Sequence, residues 1–146
     1  MLRRWRSEDG AQLVEFALVL PLLLLVVLGI AEFGIIFQRY EVVTNAAREG
    51  ARIAVLPGYF TPDVEARVRT YVTQGRVPAT LTNPNIVVAN VLIPVAGGRP
   101  PINARRVTVR YTHNYLFLPG IGSWFGSIYT TVPMTAVAEM RNEAGS

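Results

Sequence analysis

An almost unbroken run of apolar residues from Ala17 to Ala31 is the most pronounced hydrophobic pattern in the chain. No charged residue occurs from Phe16 to Ala31, and at about 1.5 Å per helical residue this stretch covers roughly 24 Å. Gly34 to Phe37 extend the pattern beyond Glu32, which brings the total close to a hydrocarbon core of about 30 Å. The pattern therefore predicts one membrane-spanning helix near the N-terminus.

The helical pattern continues beyond the membrane segment. Apolar and small residues recur at spacings of three and four, which is typical of one helix face, until Pro57-Gly58 interrupts the helix. The members of this stripe change from large to small side chains along the chain: Ile30, Phe33, Phe37, Tyr40, Thr44, Ala47, Ala51 and Ala54. We expect the alanines to seat a C-terminal domain on the helix, whereas packing against other subunits is an open alternative for Ile30 to Tyr40.

The remaining sequence predicts a short helix followed by strands. Thr61 is expected to cap the helix, with Pro62 at the first helical position. Alternation of apolar and polar residues marks the strands, and Pro133 favours an edge position or a bulge. The strand-like runs are Asn85–Ile93, Arg105–Tyr111 and Ile128–Arg141. The predicted fold is α+β: a long N-terminal membrane-spanning helix, a short helix and a small antiparallel sheet of about three strands.

Length and charge placement define the predicted domain organisation. The chain has 146 residues, enough for one membrane helix and one small domain. Arginines at positions 3, 4 and 6 precede the apolar run, and Arg39 is the first positive charge after it, which predicts a cytoplasmic N-terminus. We therefore expect a cytoplasmic leader at residues 1–10, a long helix at 11–57 that spans the membrane in its first half, and an extracytoplasmic α+β domain at 58–146.

Composition argues against catalysis and nucleic-acid binding. The chain lacks cysteine, its only histidine is His113, and no serine lies in a nucleophile motif. Metal-ligand spacing is also lacking, so neither an enzyme nor a metal or other cofactor is predicted. The formal charge of +4 comes from scattered arginines, whereas nucleic-acid binding requires a basic patch. His113 is interpreted as a strand-end or loop residue with no special role.

Two carboxylates flank the apolar run. Glu15 lies four residues after Ala11, at the entrance to the run, and a carboxylate in hydrocarbon is costly enough to require a partner or a functional reason. An alternative is that Glu15 reaches the cytoplasmic headgroups and pairs with nothing specific. Glu32 lies about 25 Å further along the helix. It is interpreted as either an exposed interfacial charge or a functional residue.

These residues resemble the motifs of a known family. The Gly10-Ala11 junction, the Glu15-Phe16 pair, Glu32-Phe33-Gly34 and the block from Asn45 to Arg52 are similar to the TadE-like family, the pilin-like (pseudopilin) proteins of the tight-adherence (Flp) pilus system of bacteria. The similarity is strong over about residues 10 to 55 and diffuse afterwards.

The resemblance implies a minor pilin-like subunit of a type IV-like adhesive pilus, located in the inner membrane. It implies cleavage between Gly10 and Ala11 by a prepilin peptidase, and a role in assembly for Glu15 and Phe16, with Glu15 pairing with the new amine of a neighbouring subunit. The second family signature comprises Arg48, Glu49, Gly50 and Arg52. The implied partners are the peptidase, other pilin-like subunits through the N-terminal helix, the inner-membrane assembly machinery and membrane lipid.

Other interpretations stay open. An uncleaved single-pass anchor with an extracytoplasmic partner-binding domain also fits the hydropathy pattern. A secretory signal peptide would use Gly29-Ile30-Ala31 as its cleavage site, but acidic residues ahead of the apolar run disfavour it. The apolar segment from Tyr115 to Phe125 is expected to plug the core, touch the membrane interface or contact another subunit.

Overall fold

The computed structural model describes residues 7–78, 85–117 and 131–142. Two helices and three strands follow one another in these residues: α1 (Ser7–Ala54), α2 (Thr61–Gln74), β1 (Ile86–Ile93), β2 (Ile102–Asn114) and β3 (Thr131–Arg141). The strands form an antiparallel sheet in the order β1-β2-β3. The predicted α+β fold is confirmed.

The described residues divide into two compact units. One contains residues 7–35 and 115–117, and the other contains residues 36–78, 85–114 and 131–142. In the first unit, α1 stays helical through Pro21. Its apolar side chains are exposed along the run predicted to span the membrane, including Leu18, Leu22 and Val26.

One helix in the described residues, Gly10–Ala54, is long and apolar enough to cross a membrane. None of its most apolar window is buried inside the protein. A core helix of a soluble protein would be mostly buried, so the exposure of this window favours a membrane anchor.

The core of the second unit lies between the C-terminal half of α1, one face of α2 and one face of the sheet. Its buried members include Val43, Ala46, Ala47, Ala51, Ile53, Ala54, Val64, Val68, Val72, Ile86, Val107, Val109, Tyr111, Met134 and Ala136. The alanines of the predicted stripe therefore do seat the domain on α1. The larger members of that stripe, Phe33, Phe37 and Tyr40, are exposed.

Strand β2 shows the predicted alternation. Val107, Val109 and Tyr111 are buried, whereas Arg110 and Thr112 are exposed. The strand is longer than the prediction at both ends. β3 lies at an edge of the described sheet, as Pro133 predicted, and its register with β2 continues through Pro133 without a bulge. Residues 128–130 of the predicted third strand lie outside the described residues.

The predicted cap of α2 is wrong by one residue. Thr61 is the first helical residue, and the N-cap is Phe60. The side chain of Asp63 accepts a hydrogen bond from the Phe60 backbone N–H at 2.9 Å. This bond anchors the start of the helix from within its first turn, so no threonine hydroxyl is needed at the cap. At the preceding turn, Gly58 adopts a φ of 84°, a conformation that suits glycine.

Gly50 supplies a test of the packing between the helices and the sheet. A Cβ added there would lie 2.6 Å from Val68 Cγ2 and 3.2 Å from Val107 Cγ1. Both valines are buried and stiff about χ1, so we expect Gly50→Ala to lower the free energy of unfolding by about 1–3 kcal/mol. Denaturant unfolding of the detergent-solubilised chain measures this change.

Gly34→Ala is the matched control for that experiment. Gly34 also lies in α1, but nothing is within 4 Å of the position of its Cβ. Alanine has the higher helix propensity, so this variant should be neutral or slightly stabilising. Equal destabilisation by the two substitutions would show that the contact with Val68 is not the cause.

Candidate functional site

The predicted cleavage and assembly residues lie in the first turns of α1. Gly10, Ala11, Glu15 and Phe16 are all helical and all exposed. Nothing among the described residues lies within 4 Å of a Cβ built on Gly10, so packing in this part of the chain does not require glycine at this position.

Glu15 is an exposed carboxylate on an apolar part of α1. Leu13, Val14 and Leu18 around it are also exposed. Within the described part of the chain, Glu15 has no hydrogen bond and no ion pair. Ala11 and Glu15 are four residues apart in one helix, so they lie on the same face. In a membrane or a helix bundle this charge needs a partner beyond those that the described residues supply.

The second signature lies at the contact between α1 and α2. Arg52 donates two hydrogen bonds to Glu49, from Nε to Oε2 and from Nη2 to Oε1, both at 2.9 Å. Arg67 of α2 donates to the same Oε1 from Nε at 3.2 Å and from Nη2 at 3.0 Å. Glu49 therefore links the two helices, and Gly50 beside it allows them to approach closely.

The two arginines also determine the charge state of Glu49. Their hydrogen bonds and positive charges, with those of Arg52 first, lower the pKa of the Glu49 carboxyl from 4.5 to about 2, against an opposing contribution from burial. A carboxylate that accepts several charged hydrogen bonds stays ionised in more acidic solution. The link between α1 and α2 is thus an ionic one over most of the pH range.

Arg48 has a different environment from the rest of the signature. Its side chain is exposed and lines a shallow groove of about 260 Å³. The other lining residues follow α1 at spacings of three and four: Phe37, Tyr40, Glu41, Thr44 and Asn45. Thr44 Oγ1 is buried there and has no hydrogen-bond partner in the described residues. The signature thus divides into residues that hold the domain together and one that faces outward.

The structure gives His113 a role that the sequence interpretation missed. His113 lies within β2 and is fully buried, with its Nδ1 2.6 Å from Arg39 Nη1. Arg39 also donates to the Tyr111 hydroxyl at 3.3 Å. A guanidinium has donors and no acceptor, so Arg39 is the donor in this contact. The signal in the sequence was that His113 continues the buried alternation of Val107, Val109 and Tyr111.

Glu32 is the second residue that the sequence interpretation did not place correctly. It is 1% exposed, so the alternative of an exposed interfacial charge is wrong. Its carboxylate accepts hydrogen bonds from the backbone N–H of Leu116, at 2.9 and 3.1 Å, and from that of Phe117, at 2.8 Å. The sequence signal was the cost of a carboxylate at the end of an apolar helix, but nothing in the sequence indicated its partner.

No group of three or more His, Cys, Asp or Glu residues in the described ranges is arranged to hold a metal ion. The geometry instead defines a class of protein: an α+β protein whose exposed apolar N-terminal helix also forms one wall of a small sheet domain. Residues 10–52 match the family model described as TadE-like protein, which confirms the resemblance over that segment.

The match suggests a role in the tight-adherence pilus system, whose TadE-like components are typically structural rather than enzymatic. It covers the Gly10-Ala11 junction, Glu15 and the whole second signature. Searches of curated proteins and of solved structures find no match to this chain.

The pKa of Glu49 generates a prediction about acid stability. The native carboxyl has the lower pKa, so the stabilisation it gives is complete above pH 4.5 and is lost as the pH falls toward 2. Glu49→Gln should lower the free energy of unfolding by about 1 kcal/mol near neutral pH. Because the variant has no carboxyl at this position, its free energy of unfolding should also fall less than that of the wild type between pH 4.5 and 2. Thermal unfolding of the solubilised chain across that range measures both effects.

Arg67→Met provides the intermediate case for this titration. It removes the partner on α2 but keeps Arg52 within α1. The pKa of Glu49 should then be lowered less, and the acid dependence should fall between those of the wild type and Glu49→Gln. A Glu49→Gln profile with the same slope as the wild type would show that other groups govern acid unfolding.

Proposed function

We propose that this protein is a minor pilin-like subunit that is processed by a prepilin peptidase and takes part in assembling a tight-adherence, type IV-like pilus for surface attachment. The observation that carries the proposal is the match of residues 10–52 to the TadE-like family. The same residues contain an exposed apolar helix, and Glu15 near its start has no hydrogen bond or ion pair among the described residues. An exposed apolar helix supports lateral packing against other helices in a membrane.

The proposed organisation follows the charge pattern. Residues 1–10 form a leader on the cytoplasmic side, the first half of the helix at 11–57 crosses the inner membrane, and residues 58–146 lie outside. Arginines at positions 3, 4 and 6 support this orientation because positive residues are retained on the cytoplasmic side. After processing, the subunit is available for incorporation in a surface pilus.

The proposed role of Glu15 rests on charge compensation. Cleavage after Gly10 would create a positive amine on Ala11. A carboxylate beside the amine of an adjoining subunit is far less costly in the membrane than a carboxylate with no partner. The exposed position of Glu15 leaves it accessible to such a neighbour. The pair would fix the axial register between subunits, with the exposed Phe16 packing beside it.

The exposed side chains further along α1 support contacts with other subunits. Phe33 and Phe37 are both more than half exposed, and neither contributes to the domain core. Their helix face is free to pack against other pilin-like subunits or components of the inner-membrane assembly machinery, with membrane lipid around the preceding span.

An uncleaved single-pass anchor with an extracytoplasmic partner-binding domain is the second candidate. One observation favours it: α1 begins at Ser7 and includes Gly10, so the Gly10–Ala11 bond lies within a helix. A protease must unwind such a bond before cutting it. Mass spectrometry of the native membrane protein separates the candidates, because a processed chain begins at Ala11 and an anchor retains the leader.

Gly10→Ala tests the processing step. We expect this variant to accumulate with its leader attached, because the peptidase would have to accommodate the added methyl group, whereas the fold has room for it. Gly29→Ala is the matched control, since it too adds a Cβ in α1 with nothing within 4 Å, and it should be processed normally. Intact-mass measurement of both variants gives the result. Normal processing of Gly10→Ala would argue against cleavage at the Gly10–Ala11 bond.

Glu15→Ala tests the assembly step. We expect normal processing but a loss of pili of at least about tenfold, since one buried unpaired charge costs more than 1.4 kcal/mol. Glu15→Gln should resemble Glu15→Ala because the charge is lost in both. Glu41→Gln, which changes another exposed glutamate of α1, is the control. Assembly is measured as the amount of sheared pili detected by immunoblot. Wild-type amounts of pili from Glu15→Ala would contradict the charge-pairing mechanism.

A further inference from the structure

Glu32 and its hydrogen-bond donors form a contact that the pilin-like function does not use. The carboxylate is 1% exposed, and it accepts hydrogen bonds from two consecutive peptide N–H groups, those of Leu116 and Phe117, at 2.8 to 3.1 Å. These residues belong to one compact unit with the first part of α1. Charge-assisted hydrogen bonds from these backbone amides hold the segment at Leu116 and Phe117 in a fixed position beside the carboxylate.

The position of Glu32 along α1 sets the depth of this contact. A helix needs about 20 residues to cross the hydrocarbon core, so a span that begins at Phe16, the first residue after Glu15, ends near Ile35. Glu32 therefore lies within the last turn of the span. The amides of Leu116 and Phe117 are about 3 Å from its oxygens, so they must lie at nearly the same depth.

The side chains of the tethered segment suit that depth. Leu116 is 54% exposed and Phe117 is 39% exposed, although their backbone is held against a buried carboxylate. The segment Tyr115–Phe117 carries no charge, and aromatic residues are enriched where a membrane meets water. Ile30 and Phe33, within the same stretch of α1 as Glu32, are exposed as well. Uncharged side chains are therefore exposed at this end of the span both on α1 and on the tethered segment.

We propose that Tyr115–Phe117 is a second membrane contact, in which Leu116 and Phe117 insert at the boundary between headgroups and acyl chains at the C-terminal end of the span. Glu32 is the positioning residue that holds the segment there through its two amide partners. Lipid is the occupant because the hydrogen bonds fix the segment at bilayer depth, where apolar side chains meet acyl chains. This inference rests on the membrane anchor in the proposed function, but not on processing or pilus assembly.

Site-directed spin labelling tests the contact, because the chain has no native cysteine. The full chain carrying Leu116→Cys is labelled with a nitroxide and reconstituted in vesicles of phosphatidylethanolamine and phosphatidylglycerol. Accessibility to oxygen, which concentrates in lipid, is compared with accessibility to a water-soluble nickel chelate. Val26→Cys reports on the exposed apolar span, and Arg99→Cys reports on an exposed charged loop position.

We expect the label at position 116 to favour oxygen over the nickel chelate several-fold more than the label at 99, with a value closer to that at 26. Glu32→Ala should return the label at 116 toward the aqueous value. Glu32→Gln, which keeps a side-chain carbonyl acceptor, should retain part of the insertion. An unchanged insertion in Glu32→Ala would show that Glu32 does not position the segment.

Three outcomes would overturn the inference, and they are distinguishable. A lipid-exposed label at 26 with an aqueous label at 116 refutes the second contact but leaves the anchor intact. An aqueous label at 26 refutes the anchor and the contact together. A label at 116 that is immobile and shielded from both reagents identifies a protein surface, either another copy or another subunit, as the occupant in place of lipid.

Discussion

The structure depends on one constraint, which is that a single helix carries an exposed apolar surface, suggestive of a membrane anchor, along its first half and one wall of a protein core along its second. The first half satisfies this with large apolar side chains such as Leu18, Leu22 and Val26, all of which are exposed. The second half changes to small residues, so that α2 and β2 approach the helix backbone at Gly50. Burial of valines from α2 and β2 against this small-residue face contributes to the stability of the sheet domain.

The three glutamates Glu15, Glu32 and Glu49 show how the same helix carries charge in different surroundings. Glu49 lies outside the apolar run and is neutralised by Arg52 and Arg67. Glu32 lies at the end of the apolar run, and its carboxylate accepts hydrogen bonds from the peptide N–H groups of Leu116 and Phe117. Glu15 has neither kind of partner in the described residues. Among the described residues, therefore, the same helix carries a carboxylate paired with arginines, one held by peptide N–H groups and one without a partner, and the last is the carboxylate for which we propose compensation by another molecule.

Local signals in the sequence were sufficient to predict the element order, the buried face of β2 and the edge position of Pro133. The interactions missed are those between residues distant in sequence. Glu32 and Leu116 are separated by 84 positions, and Arg39 and His113 by 74, so no periodicity relates them. The sequence indicated that a carboxylate at Glu32 would be costly and that Arg39 and His113 are polar. It could not indicate their partners, because these depend on where β2 and the residues after it lie along α1. The family match was predictable because Gly10, Glu15 and the second signature are all local patterns.

Family residues that are engaged inside the fold and family residues that are exposed therefore give different information when they are substituted. Glu49, Gly50 and Arg52 are engaged inside the fold, so changes there alter the seating of α2 before they alter any contact with another protein. Arg48 and the residues around Gly10 and Glu15 have no such structural role in the described residues, and their exposure leaves them free to meet a partner. If a Glu49 variant loses assembly, lower stability of the fold is consequently a sufficient explanation. If a Glu15 variant loses assembly while its stability is unchanged, the loss is explained by weaker association between subunits.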